Sequence, residues 1–573
     1  MKYSEMQYTR PDIKAVGDYL EKLIKEFKES QSFEAQDSVF RKIIDLRTEF
    51  ESMAAIASIN YSNDTTSKSY TEEQDYFDDN NPVYEEYLHE FYIAITKSKF
   101  RKELEEKYGK NLFEIATFKI NTISPEILED LQKENHLRSK YMKLIASASL
   151  TYDGKELNLQ EIGAYMQSSD RKVRKESSEI YWKFFADNAE EFDSIYDDLV
   201  KLRKDIAEKL GYANFVKVGY QRMQRSGYDD KDIAKFREYV KKYIVPLTVK
   251  LREQQKHRLE LESLKYYDLK VLHKEGNATP KGSPEWILDN GKKMYSELSE
   301  ETGEFYDFML KNDLMDVMIR KGKDAGGFCS FIPKYKSPYI FANMNGTEDD
   351  ITVLTHEAGH AFQAYSSKNF DLPEYHFPSS EAAEIHSMSM EYLTHPWMNL
   401  FFKEDTDRFK YTHLIDSVLF IPYGVLVDDF QHWVYENPDA SPAERNAKWI
   451  ELEKIYLPYY DYEGNEYLEK GGRWQRQAHI YESPFYYIDY CLAQICAFQF
   501  WSKAIHSVAF IGDKGQFRTA LKDYIKLCKA GGSKPFLELV KYANLESPFE
   551  EEVIKKIMSE IEIYVDSHQD DKL

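Results

Sequence analysis

Two histidines four residues apart, with a glutamate next to the first, are the residues of this sequence most suited to chemistry. They lie in the segment TVLTHEAGHAFQAY, residues 352–365. On a helix, His356 and His360 project about 40° apart, and two imidazoles with this spacing can bind one tetrahedral metal ion. Glu357 lies to one side, where its carboxylate can reach a water on that ion. The alternative is a surface helix on which the two histidines have no chemical role.

The residues around the two histidines predict which way their helix faces. At about 100° per residue, the apolar side chains form one stripe, and both histidines lie roughly opposite it. Thr347 is predicted as the N-cap, and Asp350 three residues later favours the helix start. The phase therefore favours a metal site in a cleft beside the helix. The stripe consists of Ile351, Leu354, Ala358, Ala361 and Tyr365.

A catalytic zinc site needs a third protein ligand and one open position for water. A third histidine of the metzincin type is excluded, because Gln363 and Ser366 stand where that motif has glycine and histidine. Further along the chain, residues 378–393 (PSSEAAEIHSMSMEYL) contain three glutamates and a histidine. The serines of this segment predict a second helix that starts near Ser379.

The three glutamates of this second predicted helix are candidates for the third ligand. Glu384 and Glu391 share one face at seven-residue spacing, whereas His386 points about 200° away from Glu384. Glu381 lies at the helix start, where a carboxylate complements the positive end of the helix dipole. The spacing favours Glu384 but leaves Glu381 and Glu391 open.

The elements that must position these residues are mainly helical. Amphipathic spacing dominates before and after the motif, whereas residues 324–345 are rich in aromatic and β-favouring residues and predict strands. We therefore expect a mainly α protein with a small β-sheet beside the helix of the histidine motif. Within the strand region, residues 338–344 (PYIFANM) either pair with an extended substrate or form an internal hairpin. The polar residues 61–82 predict a loop or a weakly ordered segment.

Composition argues against several functions. The chain has 573 residues and a net charge of -23, which disfavours nucleic acid as a partner because phosphate binding needs a basic surface. Its four cysteines include no CxxC pair, so the sequence predicts buried, reduced thiols. The longest apolar run, residues 418–427, is too short to cross a bilayer, and the first residues lack the apolar core of a signal peptide. We expect a cytoplasmic protein without a membrane partner.

The two motif segments together resemble a known family. HExGH followed by AEIHSMSMEYL is similar to oligoendopeptidase F, Pz-peptidase and thimet oligopeptidase, which are zinc endopeptidases. In that family the third ligand is the first glutamate of an E-x-x-S-x-x-x-E pattern, which Glu384, Ser387 and Glu391 match. The resemblance implies one Zn²⁺ per chain, bound by His356, His360 and Glu384. The lead-in GKDAGGFCS, at 322–330, also looks like the family's approach to its active site.

A third match lies nearer the C-terminus, in RWQRQAHIYESPFYYIDYCLAQ, residues 473–494. From the residues alone, the apolar stretch that follows Phe485 predicts a buried helix. The resemblance implies that His479 and Tyr490 donate hydrogen bonds to the oxyanion, with Tyr486, one turn before Tyr490, as a weaker candidate. Thimet-type members have a glycine-rich loop where this chain has residues 481–484 (YESP), which points to the bacterial oligoendopeptidase branch.

The resemblance also implies an architecture and an activity. It implies two helical lobes that enclose a deep substrate channel, an N-terminal lobe at 1–190 and a catalytic domain at 191–573. The expected activity is cleavage of internal bonds in short, unstructured oligopeptides. One alternative is a zinc carboxypeptidase or dipeptidase, which needs a cationic group to anchor the substrate's C-terminus. The other alternative is an inactive peptide-binding scaffold, against which the intact Glu357 and all three ligands argue.

Overall fold

The computed structural model describes residues 1–506 and 514–568, and 71% of the structure is helical, with two small β-sheets. The predicted mainly α fold is confirmed. The α-helices are α1 Ile13–Glu29, α2 Phe33–Asn63, α3 Lys68–Thr96, α4 Arg101–Tyr108, α5 Asn111–Thr122, α6 Leu128–Ala146, α7 Leu159–Tyr165, α8 Arg171–Asp187, α9 Ala189–Lys209, α10 Phe215–Arg222, α11 Asp230–Tyr239, α12 Val245–Arg258, α13 Pro284–Leu298, α14 Glu300–Lys311, α15 Asp349–Ser367, α16 Ser380–Leu393, α17 Asn399–Phe402, α18 Thr406–Glu436, α19 Pro442–Tyr456, α20 Glu466–Glu469, α21 Ala478–Glu482, α22 Tyr487–Trp501, α23 Lys514–Ala530, α24 Phe536–Tyr542 and α25 Glu551–Ser567. The strands are β1 Leu150–Tyr152, β2 Lys155–Leu157, β3 Met315–Met318, β4 Phe328–Ile332 and β5 Ser337–Met344.

The larger sheet lies against α15, where the sequence predicts it. Its strand order is β3-β5-β4, with β5 parallel to β3 and antiparallel to β4. Strand β5 pairs with β4 over residues 337–341 and with β3 at Ile340, Phe341 and Met344, so the middle of this segment has internal partners on both sides. Strand β3 was not predicted, since four residues give too short a pattern to recognise. Strands β1 and β2 form a separate antiparallel hairpin.

The expectation of a loop at residues 61–82 is wrong. Helix α2 continues to Asn63, and α3 runs through this polar segment and beyond Pro82. Phe77 is buried on α3, and the Asp78 carboxylate accepts a hydrogen bond of 2.7 Å from the Ser139 hydroxyl on α6. Contacts with neighbouring helices therefore stabilise a segment whose polar composition alone favours a loop.

Helix α15 faces the core as its phase predicts, but it starts later than expected. The four residues Ile351, Leu354, Ala358 and Ala361 of the stripe are buried, and Tyr365 is partly buried. The predicted cap is wrong, because the helix starts at Asp349 and the Thr347 hydroxyl donates to the Asn345 side chain over 2.8 Å. Asp350 instead accepts from the backbone N–H groups of Asn345 and Gly346, and so closes the turn that leads into the helix.

Helix α16 lies between α15 and α22 and contacts both. It starts at Ser380 after an N-cap at Ser379, as the sequence predicts. Almost every side chain of α22 is buried, which agrees with the apolar stretch after Phe485. No helix within 1–506 or 514–568 combines the length and apolar character needed to span a membrane. All four cysteines are free thiols.

Helices α15 and α16 approach each other closely at Gly359. A Cβ atom built on Gly359 would lie 2.6 Å from the backbone oxygen of His386 and 2.6 Å from the Cα of Ser387. Only glycine permits this distance, because real Cβ atoms do not approach other heavy atoms so closely. The glycine of the HEAGH motif therefore sets the spacing between the two helices.

We expect Gly359→Ala to lower the free energy of unfolding by about 1–3 kcal/mol and to weaken metal binding, because the added methyl group pushes α15 away from α16. Thermal denaturation and metal titration measure the two effects. Gly163→Ala is the control, because it lies inside α7 and an added Cβ there has no atom within 4 Å. If both variants behaved alike, the close approach at Gly359 would not limit the fold.

Candidate metal centre

Helices α15 and α16 bring His356, His360 and Glu384 together. One Glu384 oxygen, Oε2, lies 3.2 Å from His356 Nε2 and 3.3 Å from His360 Nε2. One ligand atom from each of the three residues lies within 4.8 Å of the others. The Glu384 side chain is 1% exposed, and the histidines are 21% and 13% exposed, so the two imidazoles face the open side of the group.

The other candidates on α16 lie elsewhere. The Glu381 carboxylate accepts a hydrogen bond of 3.1 Å from the Tyr228 hydroxyl and is fully buried. The His386 side chain is also fully buried, and its backbone oxygen accepts from the Tyr524 hydroxyl. Spacing alone did not decide which of the three glutamates is the third ligand, and in the structure Glu384 is the one whose carboxylate lies next to both His356 and His360.

The group has the chemistry of a divalent-cation site. Two imidazole nitrogens and a carboxylate oxygen form the mixed donor set of catalytic zinc sites. Burial alone would raise the pKa of Glu384, but the adjacent His360 and His356 hold it well below its ordinary value. A buried carboxylate that stays charged between two nitrogens is suited to a metal ion, so these residues fit Zn²⁺.

Glu357 lies beside this group without a partner of its own. Its side chain is buried, and its Oε2 forms no hydrogen bond to any residue within 1–506 or 514–568. Burial raises the pKa of this carboxyl above its ordinary value. A Cβ added to Gly327 would lie 3.3 Å from Glu357 Oε1, so Gly327 of the 322–330 segment forms the wall next to it. An unpartnered buried carboxylate of this kind is typical of a catalytic base.

Glu391 holds the outer side of His356. Its Oε1 accepts a hydrogen bond of 2.7 Å from His356 Nδ1, which leaves the Nε2 lone pair directed towards the metal group. Its Oε2 pairs with His413 Nε2 at 2.6 Å, and His413 Nδ1 lies 3.0 Å from His395 Nε2. Burial keeps the pKa of His395 well below its ordinary value. Sequence reasoning missed His413 and His395, because no motif links them to residues 356–360.

His479 and Tyr490 lie next to each other near the metal group. His479 Nε2 is 3.3 Å from the Tyr490 hydroxyl. Burial lowers the pKa of His479 to about 4, so this imidazole is neutral at pH 7. Gln477 Nε2 lies 2.9 Å from His479 Nδ1 and donates to it, which puts the imidazole proton on Nε2. Gln477 was missed, although it lies only two residues from His479.

Tyr486 has a different partner from Tyr490. Its hydroxyl donates a hydrogen bond to Glu384 Oε1, so it contacts the candidate metal ligand directly. The two rings lie 5.0 Å apart, as expected for residues one turn apart. The predicted tyrosine cluster therefore lies at the metal group, with one hydroxyl beside His479 and the other on Glu384.

A cavity of about 320 Å³ adjoins the metal group. Its walls come from the start of α15, from α16 and α18, and from the segment that carries α21 and α22. The lining residues are Glu348, Asp349, Thr352, Met388, Glu391, Phe409, Thr412, His413, Asp416, Ser417, Phe420, His479, Tyr487, Tyr490 and Gln494. The volume is in the range of small-molecule sites.

Comparison with known proteins identifies the family. The family model described as Peptidase family M3 matches residues 164–559, and the Peptidase M3 N-terminal domain matches residues 3–123. The chain belongs to peptidase family M3. The resemblance drawn from the motifs is thereby confirmed. Membership of M3, a metallopeptidase family, implies a bound metal ion.

Individual relatives agree with membership of M3. The solved structure of Pz peptidase A with an inhibitor is 49% identical, has a TM-score of 0.96, and aligns over 100% of both chains. The oligoendopeptidase F homolog of Borreliella burgdorferi is 26% identical over 65% of this chain and 61% of its own length. The chromosomal oligoendopeptidase F of Lactococcus lactis subsp. cremoris is 22% identical over 67% and 62%. The match thus spans less than two thirds of both curated relatives.

We expect Glu391→Gln to lower zinc affinity roughly 10–100-fold, because the residue that orients a ligand histidine loses its charge. Competition with a chromophoric chelator measures the affinity. Glu381→Gln is the control, since it makes the same change to a buried glutamate on the same helix that is bonded to Tyr228 instead. Equal zinc affinity in Glu391→Gln and the wild type would mean that Glu391 does not position His356.

Proposed function

We propose that the protein is a zinc-dependent endopeptidase that hydrolyses internal bonds of short, unstructured oligopeptides. The observation that carries the proposal is the unpartnered Glu357 carboxylate beside the convergent group of His356, His360 and Glu384. A metal site with structural function alone needs no free base next to it. The oligoendopeptidase F names of the curated relatives support the same reaction class.

The residues of the metal group bind Zn²⁺ in this proposal, and Glu391 fixes the orientation of His356. When bound, zinc polarises the scissile carbonyl and lowers the pKa of water to about 7 in such sites. Glu357 accepts a proton from the attacking water and passes it to the leaving amine. Its raised pKa suits both steps, because the group must accept the proton and then release it.

The negative oxygen that forms on the scissile carbonyl needs donors from the protein. In this proposal His479 donates through Nε2, which carries the proton because Gln477 donates to Nδ1. The hydroxyl of Tyr490 beside it is the second donor. Tyr486 holds Glu384 through its hydroxyl and is the third, weaker candidate for contact with this oxygen.

The cavity next to the metal group supports internal cleavage over carboxypeptidase or dipeptidase action. A carboxypeptidase needs a lysine or arginine to anchor the terminal carboxylate of its substrate. Among the residues that the structure describes, the lining contains neither, and it carries four carboxyl groups, Glu348, Asp349, Glu391 and Asp416. The described lining therefore offers no lysine or arginine that could anchor a terminal carboxylate.

We expect Glu357→Gln to keep one zinc per chain and to lower turnover roughly 10²–10⁴-fold, because the variant loses the base but not the ligands. Glu384→Gln should instead weaken zinc binding. Metal analysis after dialysis and peptide hydrolysis at saturating zinc measure the two properties. Loss of zinc in Glu357→Gln together with normal affinity in Glu384→Gln would reverse the two roles.

Tyr490→Phe should lower kcat roughly 10²-fold with little change in KM, because its hydroxyl acts on the transition state. Tyr481→Phe is the control, since Tyr481 lies in the same segment but its hydroxyl donates to the backbone oxygen of Phe192. Steady-state kinetics and thermal denaturation of both variants separate the roles. A lowered melting temperature with normal kcat in Tyr490→Phe would assign Tyr490 to the core.

The proposed reaction as a whole is tested with a peptide mixture. We expect zinc-loaded protein to cut unstructured peptides internally and to leave fragments of several residues from both ends, which mass spectrometry identifies. A stably folded protein should resist cleavage, because the proposed channel between two helical lobes admits only extended chains. Chelation should abolish activity while circular dichroism stays largely unchanged. Release of single C-terminal residues or dipeptides alone favours a carboxypeptidase, and rapid digestion of the folded protein contradicts an enclosed channel.

A further inference from the structure

The cavity beside the metal group has a second end that the proposed reaction does not use. One end is formed by Glu391, His479 and Tyr490. The other end includes Asp349, the first residue of α15, which lies about 10 Å along the helix axis from His356 at 1.5 Å per residue. Asp416 on α18 adds a further carboxyl group to the lining. The cavity thus extends from the reacting groups to a cluster of carboxylates.

The carboxylates of this cluster form no direct ion pair with a described residue, although Lys270 and Arg252 lie near enough to interact electrostatically with Asp416. Within 1–506 and 514–568, none of Glu348, Asp349 and Asp416 forms an ion pair with lysine, arginine or histidine, although 59 ion pairs are formed elsewhere. Asp349 Oδ2 accepts from the Gln167 side chain over 3.0 Å, and Asp416 accepts no hydrogen bond from the described residues. Among the described residues, these carboxyl groups therefore have cationic neighbours only at a distance and no direct cationic contact.

Glu348 is the most deeply buried member of the cluster. It is 6% exposed, and its Oε1 accepts a hydrogen bond of 2.7 Å from Asn277 Nδ2. Its Oε2 is buried and makes no hydrogen bond to any described residue. Burial raises the pKa of Glu348 well above its ordinary value, whereas Asp349 and Asp416 are exposed residues. An unpaired buried carboxyl is unfavourable unless a ligand supplies the missing partner.

A metal ion is not the partner that this geometry suits. The described residues contain one group of three ligand atoms within 4.8 Å of one another, and it is formed by His356, His360 and Glu384. The carboxylates of Glu348, Asp349 and Asp416 are more widely spread. They suit an organic cation with several N–H donors, which can reach separate oxygens.

Part of the cavity lining is apolar. The apolar residues include Met388, Phe409, Phe420 and Tyr487. Lysine and arginine pack their aliphatic stems along such surfaces while the charged head reaches polar groups, and aromatic faces also attract a cation. A free N-terminal amine has the same charge but no stem for these walls to contact.

We propose that this cavity binds a lysine or arginine side chain of the peptide substrate. The inference rests on the proposed endopeptidase function and specifies its substrate class. Glu348 and Asp416 bind the cationic head, and the apolar walls bind the stem. The carboxylates lie about two helical turns from the metal group, so the bound basic residue lies near the scissile bond. Only peptides that carry lysine or arginine at that position should therefore be bound and cleaved more efficiently.

Quenched fluorescent peptides test the pocket when arginine, citrulline and norleucine are placed in turn at each position around the cleaved bond. Citrulline keeps the shape of arginine without its charge. We expect that, at one of these substrate positions, kcat/KM for the arginine peptide exceeds kcat/KM for the citrulline peptide at least tenfold. Asp416→Asn should bring the two values of kcat/KM close together. Asp407→Asn is the control, because Asp407 is an exposed aspartate on the same helix, α18, outside the cavity. Glu348→Gln, which keeps the acceptor for Asn277, should act like Asp416→Asn.

Calorimetric binding to the Glu357→Gln variant separates the pocket from the reaction. This variant should bind the arginine peptide at least tenfold more tightly than the citrulline peptide, and a second change, Asp416→Asn, should equalise the two. Cleavage without any preference for arginine over citrulline overturns the pocket alone. Binding with that preference but no cleavage by zinc-loaded wild type overturns the endopeptidase function instead. If N-terminal acetylation removes binding while the side chain has no effect, the cavity recognises the terminal amine and the inference is wrong.

Discussion

The close packing of α15 on α16 is the constraint on which the site depends. At Gly359 the backbone of one helix lies against the backbone of the other, which leaves no space for a side chain. This distance lets Glu384 reach both imidazoles from a separate helix. Because the two helices are this close, the i, i+4 spacing of His356 and His360 is enough to place both imidazoles next to the same Glu384 oxygen. The rest of the structure serves to hold this pair of helices and to bring α21 and α22 up to its open side.

Some buried charged groups of this protein form ion pairs, whereas others do not. Away from the site, Arg225 and Asp489 form a pair: both are fully buried, 2.9 Å apart, and Arg225 also donates to the backbone oxygen of Phe485. This ion pair fixes the start of α22 and therefore the segment that carries the tyrosines. At the site, Glu357 and Glu348 each keep an oxygen without a partner. Asp489 also has one oxygen without a hydrogen bond, but Arg225 pairs with its carboxylate, whereas no described residue forms an ion pair with either of these two glutamates. Glu381 lacks an ion pair with the described residues too, so it is the position of Glu357 and Glu348 beside the metal group and the cavity that favours a ligand role.

Local geometry was predictable from the sequence, whereas contacts between distant segments were not. The i, i+4 histidines and the apolar stripe of α15 follow from helical periodicity alone, so both predictions agree with the structure. The choice of Glu384 over Glu381 and Glu391 needed the family pattern, because spacing cannot tell which face of α16 meets α15. The tertiary position of α18 brings His413 to Glu391, and no local sequence pattern predicts this contact. The error at residues 61–82 has the same origin, since α6 supplies the partners that stabilise α3 there.

The hydrogen bond from Tyr486 to Glu384 joins two parts of the site that otherwise belong to separate helices. Tyr486 directly precedes α22, next to the segment that carries His479, and Glu384 lies in the middle of α16. Any displacement of that segment towards a bound peptide therefore changes how firmly Glu384 is held. By thermodynamic reciprocity, the ion and the peptide must then alter each other's affinity by the same factor. In the proposed function, a segment that moved on peptide binding would therefore couple the two ligands through this one phenolic hydroxyl.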